Sequence, residues 1–501
     1  MQLYPEENSS NAKATLSDLS EIIEQARIRC GIPGMGVTVL YKGEIVFSEG
    51  FGKRNLHDPF TPKTLMPIAS LTKAFTATAI GEVVAEGKMD WDTTPVSKYL
   101  PEFELEDRNL TASLTLVDLL SHRTGIDSDD LAWFRNSEPR RDLIKRMKYI
   151  KIDPKLRSAC VYNNQMYAVA GEAAANVSGM TYEELVRTKV IDPLGLTNTG
   201  LSVMEMKERG DNYAMPFDAA SFEDGVKGKF VQGYLDDVYM ADAASGDIYS
   251  NTLDLVRWGR VIMQSGMQDG KQVLNKDSVE ETKTAYSIFE NKTKRTPEFA
   301  PSVTYGLGWF IDAYKGQAVY RHSGSIPGFR SHLTLFPNAD LVIAEQANIN
   351  NADLLLDLHW AIADEILGLP KTRDWIDVGV EKTKKRYEEY AKGAAGNLPE
   401  RIDDKPPTRS LDDFVGTFTH PSFGDVSVRL EKEGVNEKLY FNMRKFDGQL
   451  MHYHYDSFSV LLEDFVVRLG LLVTFRTGGD GKVSVLQLDL DKPVEFQRLK
   501  Q

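Results

Sequence analysis

The sequence is poor in the features that mark most specialised chains. It has two cysteines, Cys30 and Cys160, among 501 residues, which excludes a disulfide framework or a cysteine-rich metal cluster. No run approaches the ~18 consecutive apolar residues of a spanning helix, so no membrane segment is predicted. The opening stretch MQLYPEENSSNAKATLSDL lacks the apolar core of a secretory leader, and the expected location is cytoplasmic. No Gly-rich phosphate loop of either standard type is present, and no cofactor is implied. Positive charge is also short: 59 Lys and Arg stand against 73 Asp and Glu, a net charge of −14. Nucleic acid and anionic membrane would both be repelled, so neither is an expected partner. His452 and His454 share a strand face without a cysteine or carboxylate cluster, while His57, His332, His359 and His420 have no visible partners. No metal site is expected.

What the chain does hold is a large core, with 42% hydrophobic and 10% aromatic residues. Its length points to two or three domains. Residues 15–30 carry an apolar stripe at helical spacing, and GMGVTVLYKGEIVFSEGFG (34–52) predicts two strands turning at Lys42-Gly43. A helix follows over about 70–86, stopped at Gly87. Residues from about 90 to 300 read as helical and loop-rich. Strands return at 316–322, 331–336 and 340–347, before an apolar helix at 352–367. Strands at both ends of this segment predict one α+β domain: an antiparallel sheet flanked by helices, with a mostly helical region inserted. The predicted division is 1–385 for this domain, 386–408 for a charged and Gly/Pro-rich linker, and 409–501 for a small all-β barrel of short alternating strands.

Ser70 and Lys73 stand three residues apart in PIASLTKAFTATAI (67–80). Such a pair shares one helix face, and a serine at a helix start has unsatisfied N–H donors beside its hydroxyl. A Ser-x-x-Lys pair alone is weak, since a chain of this length holds about one or two by chance. Two further stretches add to it: Tyr162-Asn163-Asn164 in SACVYNNQMYAVAG (158–171), and His322-Ser323-Gly324 in VYRHSGSIPGFRSHLTLFP (319–337). The order Ser-x-x-Lys, Tyr-x-Asn, His-x-Gly resembles that of the serine β-lactamase-like and penicillin-binding superfamily. It is most similar to the class C β-lactamase, esterase and D-aminopeptidase branch. LVDLLSHRTGI (116–126), ADAASGDIYSNTLDLVRWGR (241–260), YGLGWFI (305–311) and FPNADLVIAEQAN (336–348) support the resemblance, which spans about residues 15 to 370. The terminal β domain resembles the lipocalin-like extensions of some members.

The resemblance implies a cofactor-independent hydrolase that forms an acyl-enzyme on Ser70 and cleaves a small ester or amide. The base is either Tyr162, a phenol beside cationic Lys73, or a neutral Lys73 with Tyr162 relaying the proton. Asn164 would bind the substrate side chain or orient Lys73, or else cap its helix. The Ser325 N–H would give the second oxyanion donor, and Gly324 would leave room for the acyl group along the strand. By the same resemblance Ser323 falls at the substrate side of the cleft, and His122 lies near it, tying a loop or else contacting the substrate. Where class C β-lactamases carry Lys-Thr-Gly, this chain has His322, a mostly neutral group at pH 7. That departure disfavours antibiotic destruction, and His322 is expected to polarise the Tyr162 hydroxyl or bond the substrate. Residues 203–240 are expected in the substrate wall. The alternatives are an acyltransferase using the same acyl-serine and a non-catalytic binding protein. A homo-oligomer is compatible with the sequence.

Overall fold

The computed structural model describes all residues except 1–8, 129, 151–155, 236–239, 292–295, 396–397, 434–435, 465–466, 491 and 501. The chain divides into two compact units. One comprises residues through Asp129 together with Pro139–Lys384, and the other Asp130–Glu138 together with residues from Lys385 onward.

The first unit is built on an eight-stranded antiparallel sheet. Its labelled elements are α1 (Ser9–Arg29), β1 (Gly34–Tyr41), β2 (Glu44–Gly52), α2 (Thr72–Ala85), α3 (Asn164–Ser178), α4 (Thr252–Met263), β3 (Ser287–Asn291), β4 (Ser302–Tyr305), β5 (Phe310–Tyr314), β6 (Gln317–Ile326), β7 (Phe329–Phe336), β8 (Leu341–Ala347) and α5 (Leu355–Ile366). The strand order is β3-β4-β5-β6-β7-β8-β1-β2. The first hairpin thus closes against the last strand, through Met35↔Ala347 to Tyr41↔Leu341. Lys42 and Gly43 both take positive φ, 50° and 86°, the turn that matches the twist of the strands it joins.

Side chains alternate across this sheet. Met35, Val37 and Val39 pack with Ile343 against Leu19 and Ile23 of α1 and Leu355, Leu358 and Ile362 of α5. Thr38 points the other way, and its Oγ1 lies 2.7 Å from Thr252 Oγ1 at the start of α4. That second face meets the inserted helical region and carries the site. Strands β3, β4 and β5 extend the sheet beyond the region where the sequence predicted strands. These strands are short, and β4 and β5 are joined by a turn at residues 306–309, which leaves each too few residues for a clear period.

The second unit is a closed eight-stranded barrel between Gly416 and Arg498. Phe418, Val428, Phe441, Val460, Phe475, Leu486 and Phe496 are buried within it. Asp130–Glu138, placed by sequence inside the first domain, groups with this unit. The Arg444 guanidinium explains why: it donates to the carbonyls of Leu131, Ala132 and Phe134 at 2.5, 2.7 and 2.8 Å. Among the described residues no helix is long and apolar enough to cross a membrane.

Candidate active site

Ser70 occupies a 3-10 turn, Ala69–Leu71, that runs into α2 rather than the first turn of α2 itself. Ala69 is held at φ +50°, a left-handed conformation that costs a non-glycine residue of order 1 kcal/mol. The surroundings over-determine the turn. Ser331 Oγ donates to Ile68 O at 2.7 Å, and Ile68 N donates to Ile248 O at 2.8 Å. Below it, Phe75 of α2 stacks on Trp258 with centroids 3.7 Å apart, and Trp258 stacks on Trp309.

Lys73 is fully buried. Its Nζ donates to Ser70 Oγ at 3.1 Å, Asn164 Oδ1 at 2.7 Å and Ser245 O at 3.1 Å. It also lies 4.8 Å from the ring centre of Tyr162 and 5.4 Å from that of Tyr167, within cation–π range. Three segments distant in sequence, 70–73, 162–167 and Ser245, therefore meet at one amine.

The residue that caps α3 is Asn163, whose side chain accepts from Met166 N at 3.0 Å; Asn164 is thereby free to face Lys73. Asn163 Nδ2 also holds Ile126 O and Asp127 O at 3.0 and 3.1 Å. Small residues along α3 let it approach closely: a Cβ on Gly171 would stand 2.8 Å from Ala244 Cβ.

His322 is buried on β6, with Nδ1 2.7 Å from Ser323 O and Nε2 2.9 Å from the Tyr305 hydroxyl. A carbonyl only accepts, so Nδ1 carries the proton and Nε2 accepts from Tyr305. Burial, then the charge of Lys73, pushes the imidazole pKa down to about 3. Its hydroxyl partner is Tyr305, not the Tyr162 predicted from sequence.

The Beta-lactamase family profile matches residues 19–365. The chain belongs to that family. The fold of this serine-hydrolase family is followed here by a region, residues 400–501, that matches a domain of unknown function, DUF3471. Unguisins hydrolase ungD′ of Aspergillus campestris (strain IBT 28561) is 26% identical over 499 residues, covering 94% of this chain and 88% of that protein. Among solved structures, the octameric penicillin-binding protein homologue from Pyrococcus abyssi superposes with TM-score 0.60 at 21% identity, covering 96% of this chain and 99% of that one. A class C β-lactamase superposes with TM-score 0.56 at 20% identity, covering 74% and 100%. These two likenesses are of fold.

Two site residues sit in surroundings that the sequence did not specify. His122 is fully buried, at φ +58°. Its Nδ1 accepts from Asn163 N at 3.1 Å, and its ring packs 4.2 Å from Tyr162 and 4.8 Å from Tyr305. Burial and the Lys73 charge hold its pKa well below the ordinary value. The loop that carries it is tied by buried Asp118, which accepts from Arg123 Nε at 2.7 Å and Arg157 Nη2 at 2.7 Å. Burial would raise the Asp118 pKa; the bonds from Arg157, Thr115 and Arg123 outweigh it and hold it low. Gly324 carries a steric constraint of its own, beside the room for an acyl group expected from the sequence. A Cβ there would stand 2.0 Å from Ile68 O and 2.3 Å from Ser331 Oγ, so the nucleophile's own turn fills the space.

Ser323 pairs in register with His332 and Ser325 with Arg330, a row that faces α5 rather than Ser70. Pairing of β6 with β5 ends at Arg321↔Phe310, so that edge is unpaired by β5 from His322 to Ile326. Within 203–240, Ala214 and Leu235 pack with Met66, Ile326 and Phe329 beside this edge; residues 236–239 lie outside the described ones. Ser245 and Tyr305 were missed as site residues. A backbone carbonyl leaves no residue-type signature, and Tyr305 is separated from its partner His322 by a whole strand. His332 and His359, left without partners by the sequence, stack at 4.1 Å beside Glu345.

Proposed function

We propose that the chain is an ester or amide hydrolase that forms an acyl-enzyme on Ser70, with Lys73 and Tyr162 as one base system. The observation that carries this is the placement of Lys73 Nζ, buried and within hydrogen-bonding reach of Ser70 Oγ and Asn164 Oδ1. Asn164 Oδ1 and Ser245 O accept only, so they fix two N–H bonds. The third direction points at Ser70 Oγ. There an ammonium donates, while an amine receives the serine proton. Tyr162, whose ring centre lies 4.8 Å from Nζ, is the second member of the proposed base system, a phenol that would relay the proton. Removal of the proton lets Ser70 Oγ attack the carbonyl. The Ser70 and Ser325 N–H groups would stabilise the oxyanion, and the proton would return to the leaving group. Water then resolves the acyl-serine. Asn164 acts on Lys73, and His322 acts through Tyr305 rather than on the substrate. The similarity to a fungal hydrolase supports hydrolysis as the outcome.

The test is intact-mass analysis after a fluorophosphonate, together with turnover of p-nitrophenyl acetate. Wild type is expected to gain one adduct on Ser70 and to release nitrophenol, whereas Ser70→Ala does neither. An adduct on another residue, or equal turnover by Ser70→Ala, refutes the proposal.

A further inference from the structure

The base system proposed above, on which this inference rests, depends on where Tyr162 is held. Residues 160–163 lie outside any helix or strand, and α3 begins only at Asn164. The phenol therefore stands on a segment with no ladder of its own. Bonds to one loop, the loop of His122, hold that segment at several points. The Arg157 guanidinium donates to both carboxylate oxygens of Asp118, and Arg157 N donates to Arg123 O at 2.7 Å. Val161 N donates to His122 O at 2.7 Å. Asn163 N donates to His122 Nδ1 at 3.1 Å. One residue thus grips the chain immediately before and immediately after Tyr162, once with its carbonyl and once with its ring. That ring also packs against the phenol, with centroids 4.2 Å apart and planes tilted by 35°.

The grip is held in a conformation that other residues avoid. His122 has φ +58°, a left-handed backbone that is costly away from glycine and that persists only where the surroundings impose it. Here they do. The Tyr167 hydroxyl donates to Leu120 O at 2.6 Å and Ser287 Oγ to Ser121 O at 2.7 Å, so both residues ahead of His122 are anchored. Packing alone would be served by any flat apolar ring. A nitrogen lone pair is needed only because Asn163 N–H has to be met, and burial together with the Lys73 charge keeps that lone pair free of a proton.

We infer that His122 is a positioning residue for Tyr162: its carbonyl and Nδ1 clamp the backbone on either side of the phenol, and its ring sets the tilt at which the phenol stands beside Lys73. Its effect on the reaction passes through Tyr162.

The experiment is a double-mutant cycle in the full chain, read as the rate of Ser70 labelling by a fluorophosphonate. His122→Phe keeps an aromatic ring and deletes the acceptor. His122→Asn keeps an acceptor, Oδ1, on a residue type that tolerates positive φ. With Tyr162 present, His122→Phe is expected to slow labelling about 30-fold, the scale of a misplaced reacting group, and His122→Asn about fivefold. With Tyr162→Phe, where no phenol is left to place, His122→Phe is expected to change the residual rate less than twofold. Circular dichroism checks the fold of each variant; where His122→Phe does not fold, the cycle is completed with His122→Asn, whose fivefold cost is expected to vanish in the same background. A histidine that only supports the fold would cost as much in both backgrounds. Equal cost in the two, or no cost while Tyr162 is present, overturns the inference and leaves the acyl-serine standing. Labelling unchanged by Tyr162→Phe alone removes Tyr162 from the base system and this inference with it. Absence of any Ser70 adduct in wild type overturns the acyl-serine proposal as well.

Discussion

Two groups of buried histidines lie on opposite faces of one sheet, and they are stabilised by different means. On the Ser70 face, His122 and His322 each have a directed partner, Asn163 N–H for one and the Tyr305 hydroxyl with Ser323 O for the other. A buried cation, Lys73, stands among them. On the α5 face, His332 and His359 stack at 4.1 Å and 13°, with Glu345 Oε2 3.7 and 3.6 Å from their Nδ1 atoms. Both Glu345 oxygens and both Nε2 atoms lack a hydrogen-bond partner among the described residues. The three side chains offer donor atoms within 4.8 Å of one another. Parallel stacked rings, however, cannot both aim an in-plane lone pair at one ion. The first cluster is organised around a charge; the second excludes charge. The proposed chemistry uses the first, and the second bears on stability.

The largest effect is expected where that charge is removed. Lys73→Met deletes the amine and leaves Asn164 Oδ1 and Ser245 O without their donor. The Ser70 labelling rate by fluorophosphonate should fall by about 10³, the size of a lost general base. Glu345→Gln, on the other face, should leave that rate within about twofold. Loss of labelling in Glu345→Gln would join the two clusters into one functional unit and end the distinction drawn between them.

A smaller effect is expected from the backbone that separates the faces. Gly324→Ala drives a Cβ toward Ile68 O, with backbone on the far side unable to yield. The turn holding Ser70 should shift, and kcat for p-nitrophenyl acetate should drop by about 10². Ser331→Ala removes only the 2.7 Å bond to Ile68 O. It should cost about fivefold, the equivalent of the ~1 kcal/mol net value of one hydrogen bond. Equal losses in the two variants would mean that the turn is held elsewhere.

How much of this was legible in the sequence follows from the range of each interaction. The Lys42-Gly43 hairpin, the strand through Leu341–Ala347 and the closing barrel announce themselves by local period and turn residues. Ser70, Lys73, Tyr162 and His322 were found because their order resembles a family. Their convergence is a tertiary fact that no local pattern encodes. The Tyr305–His322 bond, the Ser245 carbonyl and the pairing of His332 with His359 all cross between elements far apart in sequence. Asp130–Glu138 was missed because its partner, Arg444, is more than 300 residues away in sequence and reaches it by donating to backbone carbonyls, which leave no residue-type signal. Gly324 was read as leaving room for an acyl group; the close approach of Ile68 O to it was not legible, since a glycine does not show from sequence which neighbour needs the space.

The smallest effect concerns the charge-excluding face, and its sign can be worked out. Burial raises the Glu345 pKa well above 4.5 and lowers those of His332 and His359 well below 6.5. Above pH 4.5 the unfolded chain gives up the glutamate proton while the folded one keeps it. The folded state then binds more protons, and stability falls as pH rises through the folded pKa. The two histidines act oppositely: below pH 6.5 the unfolded chain binds protons that the folded chain refuses, so stability falls as pH drops. Glu345→Gln removes the first term and leaves the second. Its gain in thermal midpoint over wild type should therefore be near zero at pH 4.5 and grow to about 2–4 °C at pH 8. Scanning calorimetry at several pH values reads this directly. A gain that shrinks with rising pH would mean that Glu345 is ionised in the folded protein, with a counter-charge on the two imidazoles, and the α5 face would then be organised around charge as the Ser70 face is.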